Sequence, residues 1–273
     1  MPVTRLTLTV IFIVAMAFTF TAQGPAWADE KDPLILLKAQ TKMQQALNSL
    51  DQQTAEASRQ LSGVELDSYQ AGKILRWLRV EEMQIIVAST VSSKGVLVRM
   101  EPYEYSRFQG SDISKQPQVQ FMLTKHQPVL SQLFQTVEGY WSVDLEHPIL
   151  GPKGKFRGAL SATFHPTPFA KAILDGIDPT ETIRFYLLQL DGLVIYSNQL
   201  KEIGINVLET ALYKADPEVK KTVDTILAQS KGDISGRHFI GKEASHTQRR
   251  RNYWTTVELH GTQWRLGFAE PIL

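Results

Sequence analysis

Cysteine is absent from this 273-residue chain, which removes thiol nucleophiles, cysteine-based zinc sites, disulfide staples and lipid attachment at a leader cysteine. A strong charge of either sign is missing too: 29 Lys and Arg stand against 28 Asp and Glu, which weighs against a nucleic-acid partner. The basic run Gln248-Arg249-Arg250-Arg251 reads as a solvated loop before a final hairpin. Catalytic signatures are lacking as well. There is no Gly-x-Ser-x-Gly elbow, no His-Glu-x-x-His and no dinucleotide fingerprint, and the segment from Gly151 to Lys155 lacks the spacing and following hydroxyl of a phosphate loop. The nearest approach to a hydrolytic set is Asp144 with His147 and Ser131, but His147 precedes Pro148 on a strand, and no enzyme is expected. The other histidines, His126, His165, His238, His246 and His260, scatter at turns without ligand spacing, so neither a metal centre nor a cofactor is expected.

Long apolar runs are confined to the N-terminus. Arg5 precedes an apolar core from Leu6 to Phe20, and Ala26-Trp27-Ala28 stands before Asp29-Glu30, the pattern of an export signal with a small-x-small cleavage site. The expectation is a signal peptide over 1–28, cleaved after Ala28, and a periplasmic mature protein. The alternative is an uncleaved leader that tethers the protein to the membrane. The leader holds one Arg and no acid, so the mature chain carries 28 basic and 28 acidic groups. Without disulfides it must rely on its core, and 245 residues suffice for two modest domains.

What is present is a doubled pattern. From Gly139 to Pro166 the chain reads as two long antiparallel strands around a glycine turn, and Tyr253 to Pro271 repeats it with a turn at His260-Gly261. Each hairpin is preceded by a glycine-led apolar run, Gly95 to Val98 and Gly192 to Tyr196, with a polar helical stretch between. Gly95 lies 59 positions before turn Gly154, and Gly192 lies 69 before Gly261, which suggests a degenerate duplication of one strand, helix and hairpin module. In the first hairpin Phe156, Leu160, Ala162 and Phe164 share one face, and Ala159, Ser161 and Thr163 the other.

Upstream, Leu36, Met43, Leu47, Leu50, Ala57 and Leu61 recur at helical spacings, with polar Thr54 at the one missing step. They predict a single helix of about 40 Å, long enough to lie along both modules or to pair with a copy of itself as a homodimer. A second helix follows from about Asp67 to Glu82, capped by Asp67 or Ser68. The first module continues with strands Ile85 to Thr90 and Gly95 to Met100, a polar loop, and a helix capped by Asp112 with Pro117 in its first turn. A short helix from Phe169 to Leu174 leads into a linker from Asp175 to Pro179. The second module has a hairpin turn at Asp191-Gly192, a helix from Asp216-Pro217 to Ser230 with Gly232 placed to end it, a short strand around Phe239 and a five-stranded sheet. Trp254 and Trp264, on opposing strands, are expected to pack as a cross-strand pair or core plug. Tyr196 and Arg184 are candidates for a second pocket.

The ordered series Gly95 to Leu97 with Glu101-Pro102, Gly110 to Ser114, Pro128 to Ser131, Val137 to Gly139, His147 to Ile149 and Gly158 to Ser161 resembles the membrane-distal half of a double Cache sensor domain. Asp191 to Tyr196, Ile203 to Asn206, Tyr253 to Val257 and Gly261 to Leu266 are similar to its membrane-proximal half, and the likeness covers about residues 33 to 270. It implies an α+β fold of two PAS-like modules with antiparallel sheets stacked along the long N-terminal helix, with a small ligand between the distal sheet and its covering segments. The expected divisions are the leader 1–28, the long helix 29–63, a distal module 64–178 and a second module 179–273. Family members usually continue into the cytoplasm, whereas this sequence ends at Leu273 without a second membrane segment, so a separate membrane-bound receptor or signalling protein is the expected partner.

Chemistry-bearing residues concentrate around the first module's loop and strand: Tyr103, Tyr105, Arg107, Tyr140, Trp141, Asp144 and His147, with Ser131 nearby. The aromatics offer walls, Arg107 a bidentate grip on a carboxylate and Asp144 a partner for an amine. The family's amino-acid motif of Arg with a Trp-Tyr pair is not recognisable on the covering segment, where Gln116 and Phe121 stand instead. These residues point to a periplasmic sensor that binds a small anionic metabolite, a carboxylate or amino acid. The alternative is an envelope interaction protein whose modules hold no ligand.

Overall fold

The computed structural model describes residues 34–177, 183–199, 202–239 and 247–272. The expected leader, part of the linker after Asp175, and His246 lie outside the described residues.

Helix α1 (Leu34–Gln60) carries the predicted stripe, with Leu36, Met43, Leu47, Leu50 and Ala57 buried. Thr54 fills the missing step without leaving its hydroxyl unsatisfied, because its Oγ1 donates to the Leu50 carbonyl at 2.7 Å. Helix α2 (Tyr69–Glu81) begins at Ser68, whose side chain accepts from the Ala71 amide.

The first sheet comprises β1 (Ile85–Ser92), β2 (Leu97–Glu101), β3 (Val129–Leu130), β4 (Phe134–Gln135), β5 (Trp141–Leu150) and β6 (Phe156–Phe164) in the order β2-β1-β6-β5-β3, with β4 added beside β5. The second holds β7 (Arg184–Gln189), β8 (Val194–Ser197), β9 (Gly232–Phe239), β10 (Thr247–Leu259) and β11 (Thr262–Pro271) in the order β8-β7-β11-β10-β9. The two orders correspond strand for strand, as the doubled sequence pattern requires. The likeness extends to single bonds: Ile113 donates to the Gly95 carbonyl at 2.8 Å and Val207 to that of Gly192 at 2.9 Å. Both glycines have positive φ, 79° and 91°, a conformation that side-chain-bearing residues rarely adopt.

One face of each sheet packs on α1. Val143, Leu145, Leu160 and Phe164 from the first and Leu187, Trp264, Leu266 and Phe268 from the second join Met43, Leu47 and Leu50 in one apolar cluster. The outer faces are covered separately, the first by α3 (Pro117–Lys125) through Val119 and Met122, the second by α6 (Pro217–Ala228) through Ile226. The short helices α4 (Pro166–Leu174) and α5 (Ala211–Ala215) complete the described set. Polar bonds fasten α1 to both sheets. Gln40 and Gln44 donate to the Thr256 and Glu258 carbonyls of β10, each at 2.9 Å, and Ser58 donates to the Pro148 carbonyl of β5 at 2.8 Å.

Five expectations are corrected. Asp112 does not cap a helix: α3 starts only at Pro117, because Asp112 bridges Val96 and accepts from the Ser114 amide at 2.9 Å. Phe156 packs on the α3 side, stacked on His126 at 4.0 Å, since the register shifts between Ile149 and Leu150. Trp254 and Trp264 do not pair across the strands, but each plugs a separate core cluster. Trp254 lies opposite Gly267 and Trp264 opposite Val257, so register parity sends the two indoles to opposite faces. The basic run is not a solvated loop but the start of β10, where buried Arg250 donates to the Ala269 carbonyl at 3.0 Å, Arg249 pairs with Glu218 and Arg251 with Asp233. Gly232, expected to end α6, opens β9 instead.

Leu50→Ala removes a fully buried side chain from the shared cluster and should lower unfolding stability by about 2–5 kcal/mol. Urea denaturation measures it, and a loss below about 1 kcal/mol would place Leu50 outside the cooperative core.

Candidate functional site

Alternation along β5 gives the strand two chemical faces. Val143, Leu145 and Ile149 join the α1 cluster, while Asp144 and Glu146 point the other way beside their cross-strand neighbours Thr163 and Ser161 of β6. Above this second face lies a narrow cavity of about 30 Å³, room for one or two waters. Its polar lining comes from Ser89, Gln116, Thr136, Glu138, Asp144, Ser161 and Thr163, over Val87 and Met100.

The electrostatics are one-sided. Burial pushes the Asp144 carboxyl up to about 6, against hydrogen bonds from Thr163, Gln118 and Ser161 that favour its charged form, and Glu138 raises it further. The Thr163 bond is 2.5 Å long. Glu146 is 1% exposed, neither of its oxygens has a hydrogen-bond partner among the described residues, and burial together with Asp144 drives its carboxyl well above the usual range. No Lys or Arg lines the cavity among the described residues. Asp144 lines the cavity with Glu146 buried beside it on the same face, and with no Lys or Arg in the described lining the site suits a positively charged group.

Of the residues singled out in the sequence, Gln116 and Asp144 line this cavity. Ser131 fixes the strand edge beneath it, accepting from the Asp144 amide at 2.8 Å. Tyr105 and Tyr140 meet edge to face with centroids 6.4 Å apart, and burial, then Tyr105, raises the Tyr140 phenol. Tyr103, Phe121 and Trp141 are exposed, and Arg107, also exposed, stacks over Phe108 at 4.8 Å. His147 sits three residues from Asp144 and therefore faces α1, so Asp144, His147 and Ser131 do not gather around one substrate. Glu146, Glu138, Ser161 and Thr163 were missed. For Glu146 the signal was available, since it follows Asp144 by two positions on an alternating strand.

The histidines do not all scatter as the sequence suggested. His147 and His260 converge on Asp51 of α1, with Nε2 to Oδ1 distances of 2.7 and 2.5 Å. In the second sheet, the corresponding space between the strands and α6 is a mainly apolar cavity of about 80 Å³ lined by Tyr186, Leu188, Val194 and Ile226. Arg184 pairs with Glu202 there at 3.7 Å, while Tyr196 lines a different cleft beside Phe185 and Asn198.

Because the folded Asp144 carboxyl titrates near 6 rather than 3.8, the folded state holds an extra proton between those values. Its stabilising contribution is full below about pH 4 and lost as pH rises through about 6. Asp144→Asn should therefore raise the melting temperature at pH 7.5 and flatten the decline between pH 4 and 7. A lower melting temperature at pH 7.5 would show that the carboxylate is already neutralised.

Residues 45–166 match the family model described as HK/GC/Chemotaxis protein-like, sensor domain. A search of curated proteins finds no match. Among solved structures, an extracellular ligand-binding receptor from Desulfohalobium retbaense DSM5692 is 30% identical with a TM-score of 0.74. The alignment covers 89% of this chain but 41% of that receptor, so the chain spans about two fifths of its relative's length. The ligand-binding domain of the Pseudomonas aeruginosa PAO1 amino-acid chemoreceptor PctB, in complex with L-Gln, is 11% identical with a TM-score of 0.63, over 87% of this chain and 88% of that one. The periplasmic sensory domain of the Campylobacter jejuni chemoreceptor Tlp1 is 14% identical with a TM-score of 0.61, over 88% and 92%. The last two likenesses are of fold. Together these findings uphold the double Cache resemblance and the α+β architecture of two PAS-like sheets on a long helix.

Proposed function

We propose that this chain, a sensor module of the double Cache type, binds a small metabolite carrying an ammonium group, an amino acid or amine, at Asp144 in the distal cavity. The observation that carries the reading is the pair of buried acids, Asp144 and Glu146, on the cavity side of β5, with no Lys or Arg among the described residues lining the cavity. A space merely filled during evolution has no use for two carboxyl groups whose ionisation opposes folding. The PctB domain of the comparison holds L-Gln, which carries both an ammonium and a carboxylate. The carboxylate grip expected of Arg107 falls instead to neutral donors such as Gln116, because Arg107 stands outside the cavity lining.

The cavity is narrow, so binding draws on a minor, more open arrangement of the covering segments, and the ligand shifts the population toward it. The two-residue strand β4 contributes Phe134 to the cavity wall and is one such cover. Occupancy is then reported to a membrane-bound signalling partner from the periplasm, after removal of residues 1–28. Intact mass of the exported protein checks the last point: a start at Asp29 is expected, and a retained leader would make the protein membrane-tethered.

Calorimetric titration with amino acids, polyamines and amine-free carboxylates tests the site. An ammonium compound should bind, Asp144→Asn should weaken it at least about tenfold, and Arg107→Ala should leave it within about twofold. Tight binding of an amine-free carboxylate, indifferent to Asp144→Asn, would overturn the proposal.

A further inference from the structure

Asp51, His147 and His260 come from three separate elements: the middle of α1, strand β5 of the first sheet, and the β10–β11 turn of the second. Their ligand atoms, one carboxylate oxygen and two imidazole nitrogens, all lie within 4.8 Å of one another. The imidazoles meet at 80° with centroids 5.6 Å apart, so their Nε2 atoms approach one carboxylate from two directions. His147 is buried at its base, and Asp51 and His260 keep 23% of their side chains open to solvent, which leaves a route in and a place for water. Burial raises the Asp51 carboxyl, but hydrogen bonds from His147 and His260 outweigh it and hold the group well below the usual carboxylate range.

We infer that Asp51, His147 and His260 form a binding site for a divalent transition metal, Zn²⁺ or a close relative, that joins the two sheets through α1. Two imidazoles and one carboxylate are the donor types that zinc takes, whereas Mg²⁺ and Ca²⁺ prefer all-oxygen shells. Zinc bonds of about 2.0–2.1 Å place tetrahedral ligands about 3.3 Å apart. The present Nε2 to Oδ1 separations, 2.7 and 2.5 Å, need to widen by less than about 1 Å. On binding, each Nε2 gives up its proton, either to solvent or by transfer of the imidazole to its Nδ1–H tautomer, and the freed lone pairs and the carboxylate take the metal. Water completes the shell on the His260 side. His260 is held at the spot by its turn: its φ of 49° and that of Gly261 at 84° form the tight reversal that aims the ring at α1.

The site is independent of the distal cavity, since His147 and Asp144 lie on opposite faces of β5. Its test therefore needs no metabolite. The protein, purified without a polyhistidine tag and stripped with chelator, is titrated with Zn²⁺ and with Mg²⁺ while melting temperature and calorimetric stoichiometry are followed. Expected are one Zn²⁺ per chain, a melting-temperature rise on the order of 5 °C at about a hundredfold excess over Kd, and no rise with Mg²⁺. His260→Asn, which keeps the left-handed turn geometry, should abolish the Zn²⁺ shift, as should Asp51→Asn. Co²⁺ bound to the unaltered protein should give the visible absorption of a four-coordinate nitrogen and oxygen shell, a readout that does not depend on any variant folding. No Zn²⁺ shift, an equal shift with Mg²⁺, or a Zn²⁺ shift that survives both substitutions would overturn the site.

Discussion

The apolar stripe of α1 is the constraint on which the rest of the structure depends. Each sheet turns its larger apolar face to the interior, and neither has a second sheet to pack against there, so a common helix is the simplest way to bury both. Leu36 to Ala57 supply the shared surface, and the side chains of Gln40, Gln44 and Ser58 then settle the register of the helix against β10 and β5 through backbone carbonyls. Hydrogen bonds from long side chains to strand carbonyls tolerate little sliding. A shift of one helical turn would take several of these partners away together.

Strand β5 follows from that arrangement. Val143, Leu145, His147 and Ile149 are committed to α1, and Asp144 and Glu146 are turned to the opposite face. The acids Asp144 and Glu146 are thereby buried on the face turned from α1, and His147 is delivered to the helix side within reach of Asp51. One strand thus connects the cavity lined by Asp144 to a three-residue cluster at the junction of the two sheets. The second half of the chain repeats the topology but fills the corresponding space with mainly apolar walls, including Tyr186, Leu188 and Ile226. The two halves share the frame more closely than the chemistry.

Several details show how local rules yield to context. Thr54 sits in an apolar stripe because a helix interior offers its hydroxyl the Leu50 carbonyl four residues back. Arg250 is buried inside a run that reads as solvent-loving, since the β10–β11 pairing supplies the Ala269 carbonyl as its acceptor. Asp112, a fine cap by type, is taken up by a bridge to Val96 before the helix begins.

The sequence by itself determined the long helix, both hairpins, the doubled order of strands and the α+β class, because periodicity, turn glycines and proline stops are local signals that the backbone obeys wherever it is placed. It also singled out Asp144 and Gln116. Only the tertiary structure decided which residues share a face across strands and which distant ones meet. Register parity separated Trp254 from Trp264 and His147 from Asp144. The meeting of Asp51, His147 and His260 joins positions 209 apart in the chain, and no spacing rule reports a contact made by packing two sheets on one helix.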